Sequence, residues 1–307
     1  SPTTHAMVVF NRNLDAFDAV VFDRSLGAFR QVDAIEVLGR TIAILPNSGD
    51  EKQADKAAAL YRRQTLIPGW DQRMLARLKV AIVGLGGNGA QVVQTLVSLG
   101  VGTEGWIAGI DPDVVEPSNL PRLPYAFEEH VGAPKVTVAG QYVGRKNPAA
   151  RFYPYPCSVT DPAARDRLKS AHILVGAGDG DGVRKVCNEM AVRYKIPYVD
   201  LGCDIQIEDG KMLAGGQVHV VIPGQTACLA CSGAFDPSTA AQELMDDERA
   251  VVQAERGYVR GGREQATPSI TNLNAVTGQL GIAALLALVH GPRLGTWDYA
   301  HYDQITA

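Results

Sequence analysis

The sequence predicts an α/β protein with a Rossmann-like, mostly parallel sheet and helices on both faces. Antiparallel strands follow near the C-terminal end, and a small β-rich appendage precedes it. Three observations carry this prediction. From residue 79 to residue 201, short β-branched runs alternate with helical stretches, a pattern that builds parallel βαβ units with right-handed crossovers. The first run, Val80-Ala81-Ile82-Val83, passes directly into Gly84-Leu85-Gly86-Gly87-Asn88-Gly89, so a strand meets a glycine turn and then a helix. Finally, 307 residues with 46% hydrophobic and 20% charged side chains suffice for one large domain with an appendage, or for two modest domains.

Taken in order, the elements are as follows. Val8-Val9-Phe10, Val20-Val21-Phe22 and Thr41-Ile42-Ala43-Ile44-Leu45 are β-branched or aromatic runs separated by turn residues and charges, which predicts a β-rich unit over 1–50 with a linker at 46–52. The main unit then spans 51–307. A helix is expected over 51–64, a break at Pro68-Gly69 and a short helix over 71–78. Strands follow at 79–84, 104–110, 151–156, 172–176 and 197–201, separated by helices at 87–99, 134–145, 161–168 and 181–194. Strands at 211–222 and 295–303 fall outside the alternation and are expected to pair antiparallel. Between them, 233–267 is polar and glycine-containing with a weak helical pattern over 240–255, and a connection this long inside a domain usually serves function. A long apolar helix is expected over 269–289, after Pro268.

Composition excludes some functions. The net charge of −4 and the lack of basic runs argue against nucleic acid. The longest apolar stretch, Gly281 to Val289, is too short to span a bilayer, so no membrane partner is expected. No signal peptide is visible, and the five cysteines lack the spacing of a disulfide framework; the expectation is a reducing, cytoplasmic setting. Ser1-Pro2-Thr3-Thr4-His5 reads as a tag remnant or a cut within a longer protein.

The chemistry concentrates around the glycine turn. Gly84 permits the tight turn, Gly86 and Gly87 let backbone approach a ligand, and Gly89 allows close helix packing. Such a turn serves ATP and dinucleotides alike. Asp111, after the second strand, can hold ribose hydroxyls in either class. Arg122 and Lys135 tip the balance towards ATP, because fixed cations at the carboxyl edge of the sheet stabilise charge that builds on phosphate. Asp179, in Gly176-Ala177-Gly178-Asp179-Gly180-Asp181, is suited to magnesium or to capping the next helix.

Together, Arg62-Arg63-Gln64, the glycine loop, Asp111-x-Asp113, Ser118-Asn119-Leu120-x-Arg122, Gly132-x-x-Lys135, Asn147-Pro148 and Asp179 resemble the ThiF/MoeB-like superfamily, the prokaryotic relatives of ubiquitin-activating enzymes. The resemblance runs from about Leu60 to Pro292 with order and spacing preserved. It implies adenylation of the C-terminal carboxylate of a ubiquitin-like protein ending in glycine, with pyrophosphate released from Mg-ATP. By the same resemblance Asp111, Asp113 and Asn119 would face nucleoside or metal, Arg122 and Lys135 the phosphates, and Asp179 the magnesium. Arg63 would reach across a homodimer interface as an arginine finger, 233–267 would form a crossover loop guiding the substrate tail, and a downstream conjugating enzyme is an implied partner. Rival readings are adenylation of a ribosomal peptide, a nucleotide-binding scaffold without turnover and, weakest, a dinucleotide-dependent oxidoreductase.

Departures from the family pattern are also visible. Asn88 stands where an apolar residue is usual, and Leu123 where glutamine is common. Family members commonly bind zinc with two Cys-x-x-Cys pairs; here Cys228 and Cys231 supply one, and the remaining ligands would have to come from Cys157, Cys187, Cys203 or His219. No cysteine lies in 233–267. Either activation stops at the adenylate, or another protein's thiol takes over, or a native cysteine has been replaced.

Overall fold

The computed structural model describes residues 6–10, 17–23, 28–32, 34–39, 41–46, 59–208, 211–245, 268–291 and 298–305. Short strands open the chain: β1 (Ala6–Phe10), β2 (Phe17–Asp23) and β3 (Ala28–Gln31) form an antiparallel meander, and β4 (Ala34–Val37) pairs with β5 (Ala43–Pro46). Of the helix expected over 51–64, residues 51–58 lie outside the described ones. Residues 59–60 are helical, and the chain then turns into a 3-10 segment at Gln64–Leu66. Helix α1 (Gln72–Arg77) follows, its N-terminus capped by Asp71, which accepts the Met74 N–H at 2.9 Å.

The main sheet takes up β6 (Lys79–Val83), β7 (Trp106–Ile110), β8 (Phe152–Tyr155), β9 (Ile173–Gly176), β10 (Tyr198–Glu208), β11 (Lys211–Val221) and β12 (Tyr299–Ile305), in the order β12-β11-β10-β9-β6-β7-β8. Strands β6 to β10 run parallel, whereas β11 and β12 are antiparallel to their neighbours. The connecting helices are α2 (Gly87–Leu99), α3 (Lys135–Lys146), α4 (Pro162–Leu168) and α5 (Asp181–Tyr194). Beyond β11 come α6 (Leu229–Ser232), α7 (Pro237–Glu243) and α8 (Thr271–His290). The weak helical pattern at 240–255 corresponds to α7, which starts three residues earlier because Asp236 caps it by accepting the Thr239 N–H at 2.7 Å; residues 246–255 lie outside the described ones.

Alternation along the strands sorts the core into two layers. Val80 and Ile82 face one side with α2, α3 and α8, while Ala81 and Val83 face the other with α4 and α5. Two expectations change against this frame. Strand β10 does not stop at residue 201 but continues to Glu208, because β11 pairs with it over its whole length, from Tyr198 opposite Val221 to Glu208 opposite Lys211. The β4–β5 hairpin, within the β-rich N-terminal region, contributes to the main core: Ile42, 2% exposed, packs with Leu75 and Leu288, and its N–H bonds the Leu288 carbonyl at 2.7 Å. Glu36 of β4 pairs with Lys79 Nζ at 2.6 Å and lies 3.0 Å from the buried His172.

Among the described residues, one helix, α8, is long and apolar enough to cross a membrane. Its Ile282, Leu285 and Leu288 are buried in the protein core.

Candidate active site

Starting at β6 places the site at the carboxyl edge of the sheet. Chain order reverses around β6, with β7 and β8 to one side and β9 and β10 to the other, so a crevice opens where the loops after β6 and β9 diverge. Gly84 adopts φ +87°, and a Cβ there would collide with the backbone of Ala177 and Gly178 in the loop after β9. Only glycine closes these two loops together. Gly89 packs against the Gly84 carbonyl, whereas Gly86 has nothing within 4 Å of where its Cβ would lie. A Cβ on Gly87 would run into the Asn274 side chain of α8. No side chain among the described residues caps the N-terminus of α2, so its first-turn N–H groups and the positive end of a 13-residue helix are suited to an anion beside Gly86.

The acid after β7 shapes this loop. Asp111, 4% exposed, accepts the Leu85 N–H at 2.6 Å through Oδ2 and the Asp113 N–H at 2.8 Å through Oδ1. Burial pushes its carboxyl above the ordinary range, and the nearby Lys135 charge opposes that rise. Tyr125, which the sequence did not single out, donates its buried hydroxyl to the Leu85 carbonyl at 2.6 Å, so Leu85 is held at both ends of its peptide. Lys135 opens α3 and is 8% exposed; its Nζ sits 2.7 Å from Asp113 Oδ2, and its N–H bonds the Asp113 carbonyl at 3.0 Å.

Asn119 and Arg122 belong to a 3-10 turn at Pro117–Arg122 that packs between α2 and α8. Asn119 is buried and accepts the Glu116 N–H at 3.3 Å, and Arg122 Nη1 donates to the Ser118 carbonyl at 3.0 Å. Asp179 stands exposed in the loop after β9 and makes no hydrogen bond or ion pair among the described residues. It is not the cap of α5: that position is Gly180, and the Gly182 N–H is taken by Glu243 of α7 at 2.7 Å. Asp111, Asp113, Asn119, Arg122 and Asp179 thus lie on loops or turns at the carboxyl edge, and Lys135 at the start of α3 beside them.

Arg63 lies elsewhere. Tyr61, two residues before it, packs its ring on Gly100 at the far end of α2 and receives a hydrogen bond from Asn147 at 3.1 Å. Since α2 is about 20 Å long at 1.5 Å per residue, Arg63 cannot reach its own chain's glycine loop.

A polar cluster beside α2 was legible only in part. Asn88, noted as a departure, accepts from Asn274 Nδ2 at 3.1 Å and from the Cys203 thiol at 3.2 Å, and Cys203 also lies 3.1 Å from Thr277 Oγ1. The unusual asparagine is therefore matched by polar partners on α8 and β10. Burial, with Asp179 adding to it, raises the Cys203 thiol above its ordinary pKa. Leu123, the other departure, is a core residue at 1% exposure.

Cys228 and Cys231 flank one helical turn with their sulfurs 3.5 Å apart. Among the described residues no group of three or more His, Cys, Asp or Glu could hold a metal, and residues 246–267 contain neither cysteine nor histidine. Two thiolates do not complete the four-ligand set of structural zinc.

Comparison with known proteins agrees with this geometry. A model of the ThiF family matches residues 61–304. The sulfur carrier protein adenylyltransferase of Thermus thermophilus is 37% identical over 142 residues, covering 45% of this chain and 51% of the relative. The molybdopterin-synthase adenylyltransferase of Escherichia coli is 32% identical over 158 residues, covering 50% of this chain and 62% of the relative. The matched stretch thus spans roughly half to three-fifths of these relatives. Among solved structures, Escherichia coli MccB superposes with a TM-score of 0.60 at 21% identity, over 83% of this chain and 72% of MccB, which is a likeness of fold. With the family model spanning most of the chain, this protein belongs to the ThiF family.

Proposed function

We propose that this chain is an adenylyltransferase that activates the C-terminal carboxylate of a small sulfur-carrier or ubiquitin-like protein with ATP. One observation carries the reading: the N-terminus of α2, Lys135 and the exposed Asp179, which has no partner among the described residues, all lie at one edge of the sheet. The names of the relatives, a sulfur carrier protein adenylyltransferase and a SAMP-activating enzyme E1, support the substrate class.

In the reaction a carboxylate oxygen of the tail attacks the α-phosphorus of ATP. The bond to the β-phosphate oxygen breaks, giving an acyl adenylate and pyrophosphate. The α2 N–H groups hold phosphate oxygens, while Lys135 and Arg122 offset the charge that develops on them. Asp111 keeps Leu85 and the glycine loop in the shape that presents those N–H groups, with its remaining lone pairs turned to ribose. Asp179, exposed and without a partner among the described residues, fits magnesium, which is usually held by one or two carboxylates together with substrate phosphates and neutralises their charge when bound. Arg63 completes the site of a second copy in a homodimer: it lies at the far edge of its own sheet, flanked by Leu60, Leu66 and Ile67, which are 71%, 76% and 43% exposed. The cytoplasm is the setting we assign, with a conjugating or sulfur-transfer enzyme taking the activated tail onward.

The test is ATP/pyrophosphate exchange with an intact glycine-ended ubiquitin-like protein, with the same protein lacking its last residue, and with neither. Exchange that requires the intact tail is the expected outcome. Exchange supported only by a short peptide, or none despite ATP binding, would overturn the assignment.

A further inference from the structure

The mismatch between Cys228–Cys231 and a zinc site has its own chemical meaning. Both cysteines are free thiols, Cys231 exposed and Cys228 partly so. The turn between them is firmly built: Ser232 N–H bonds the Cys228 carbonyl at 3.0 Å, and Leu229 N–H bonds Asn188 Oδ1 of α5 at 2.9 Å. Leu229 itself is fully buried. The two sulfurs, on one face of a single helical turn, are 3.5 Å apart, so side-chain rotation of about 1.5 Å brings them to the ~2.05 Å of a disulfide. A Cys-x-x-Cys pair beside a βαβ fold, without further metal ligands among the described residues, has the arrangement of a redox dithiol.

We propose that Cys228 and Cys231 form a reversible dithiol–disulfide site that exchanges with low-molecular-weight or protein disulfides. One thiolate of the pair attacks one sulfur of an external disulfide, forming a mixed disulfide and releasing one external thiolate, which takes up a proton. The second sulfur of the pair, having given its proton to solvent, then attacks the protein sulfur of the mixed disulfide and expels the second external thiolate. The protein loses two electrons and two protons, and the external disulfide becomes two thiols. The clasp closes at the entry to α6 and α7, and α7 carries the Glu243 carboxylate that accepts the Gly182 N–H.

The experiment uses the full chain in glutathione buffers of graded oxidised-to-reduced ratio, with alkylation of remaining thiols, mass spectrometry and metal analysis of the same samples. The expected result is that Cys228 and Cys231 lose alkylation together, reversibly, in protein that carries no zinc at equal stoichiometry. With either Cys228→Ser or Cys231→Ser, the remaining cysteine should accumulate glutathione as a mixed disulfide that the unaltered protein does not retain. Equal zinc with thiols resistant to oxidised glutathione would overturn the proposal. So would both thiols remaining alkylatable in the most oxidising buffer. These readings on the unaltered protein stand even where a variant fails to fold.

Discussion

The two halves of the main sheet differ in where they keep their polar chemistry. In the parallel half, β6, β7 and β9 are four or five residues long, with nearly every side chain buried between helices. Polar side chains there sit at or beyond the strand ends, Lys79 and His172 at the amino edge and Asp111 and Asp179 at the carboxyl edge. In the antiparallel half, β10 and β11 run for 11 residues each and carry polar groups along their length. Asp200, 1% exposed, accepts the Tyr198 hydroxyl at 2.6 Å and lies 3.4 Å from Arg184 Nε, with His219 opposite it on β11. Burial raises the Asp200 carboxyl, countered by the Arg184 guanidinium. Covering both faces of a strand leaves only its ends for a ligand, whereas an extended hairpin can spend its sides on a buried network.

The comparison can be broken most strongly at Asp179. Asp179→Ala should lower pyrophosphate exchange by about 10²–10³-fold, with thermal unfolding unchanged because the side chain is exposed and has no partner among the described residues. Retained exchange would remove Asp179 from the site.

Next in size is Gly84→Ala, which sets a side chain at φ +87° against the backbone of the neighbouring loop. Denaturant unfolding should show a loss of roughly 3–4 kcal/mol. Gly86→Ala, with open space around it, should stay within about 0.5 kcal/mol in stability while weakening nucleotide binding measured by calorimetry.

In the antiparallel half the order of effects inverts. Asp200→Ala leaves the Tyr198 hydroxyl without its acceptor and Arg184 without its buried counter-charge, and should cost about 3 kcal/mol of stability. Exchange per folded molecule should persist at low temperature.

The smallest effect concerns the N-terminal hairpin. Hydrogen bonding to His172 and Lys79 lowers the Glu36 pKa from 4.5 to about 2. A carboxylate with a depressed folded pKa contributes stability above its unfolded value, and loses that contribution as pH falls from 4.5 towards about 2. With a side chain 37% exposed, solvent screening keeps the contribution below about 1 kcal/mol. Glu36→Gln should flatten that part of the acid unfolding curve; an unchanged slope would detach the hairpin from the core.

Legibility followed the range of the interactions. Helices α2 and α5 begin and end where the sequence reading placed them, because their limits depend on neighbouring residues, such as the αL glycine at position 100 that closes α2. The ends of β6, β7 and β9 were likewise read within two residues, as were Gly84, Asp111 and Asp179 as loop residues. Strands β3 and β4 were not anticipated, being four residues each with weak alternation.

What the sequence alone determined is the alternating order of the parallel half and the chemical types gathered at its carboxyl edge, since both arise from local periodicity and short motifs. Only the tertiary structure decided that β10 runs on to Glu208 with β11, that Ile42 enters the main core and that Asp111 braces the glycine loop. The tertiary structure also brought Asn88, Cys203 and Asn274 together from β10 and two helices and put Arg63 at the opposite edge. Each of these depends on partners tens to hundreds of residues away, and a hydrogen bond or packing contact across that separation leaves no periodic trace in the chain.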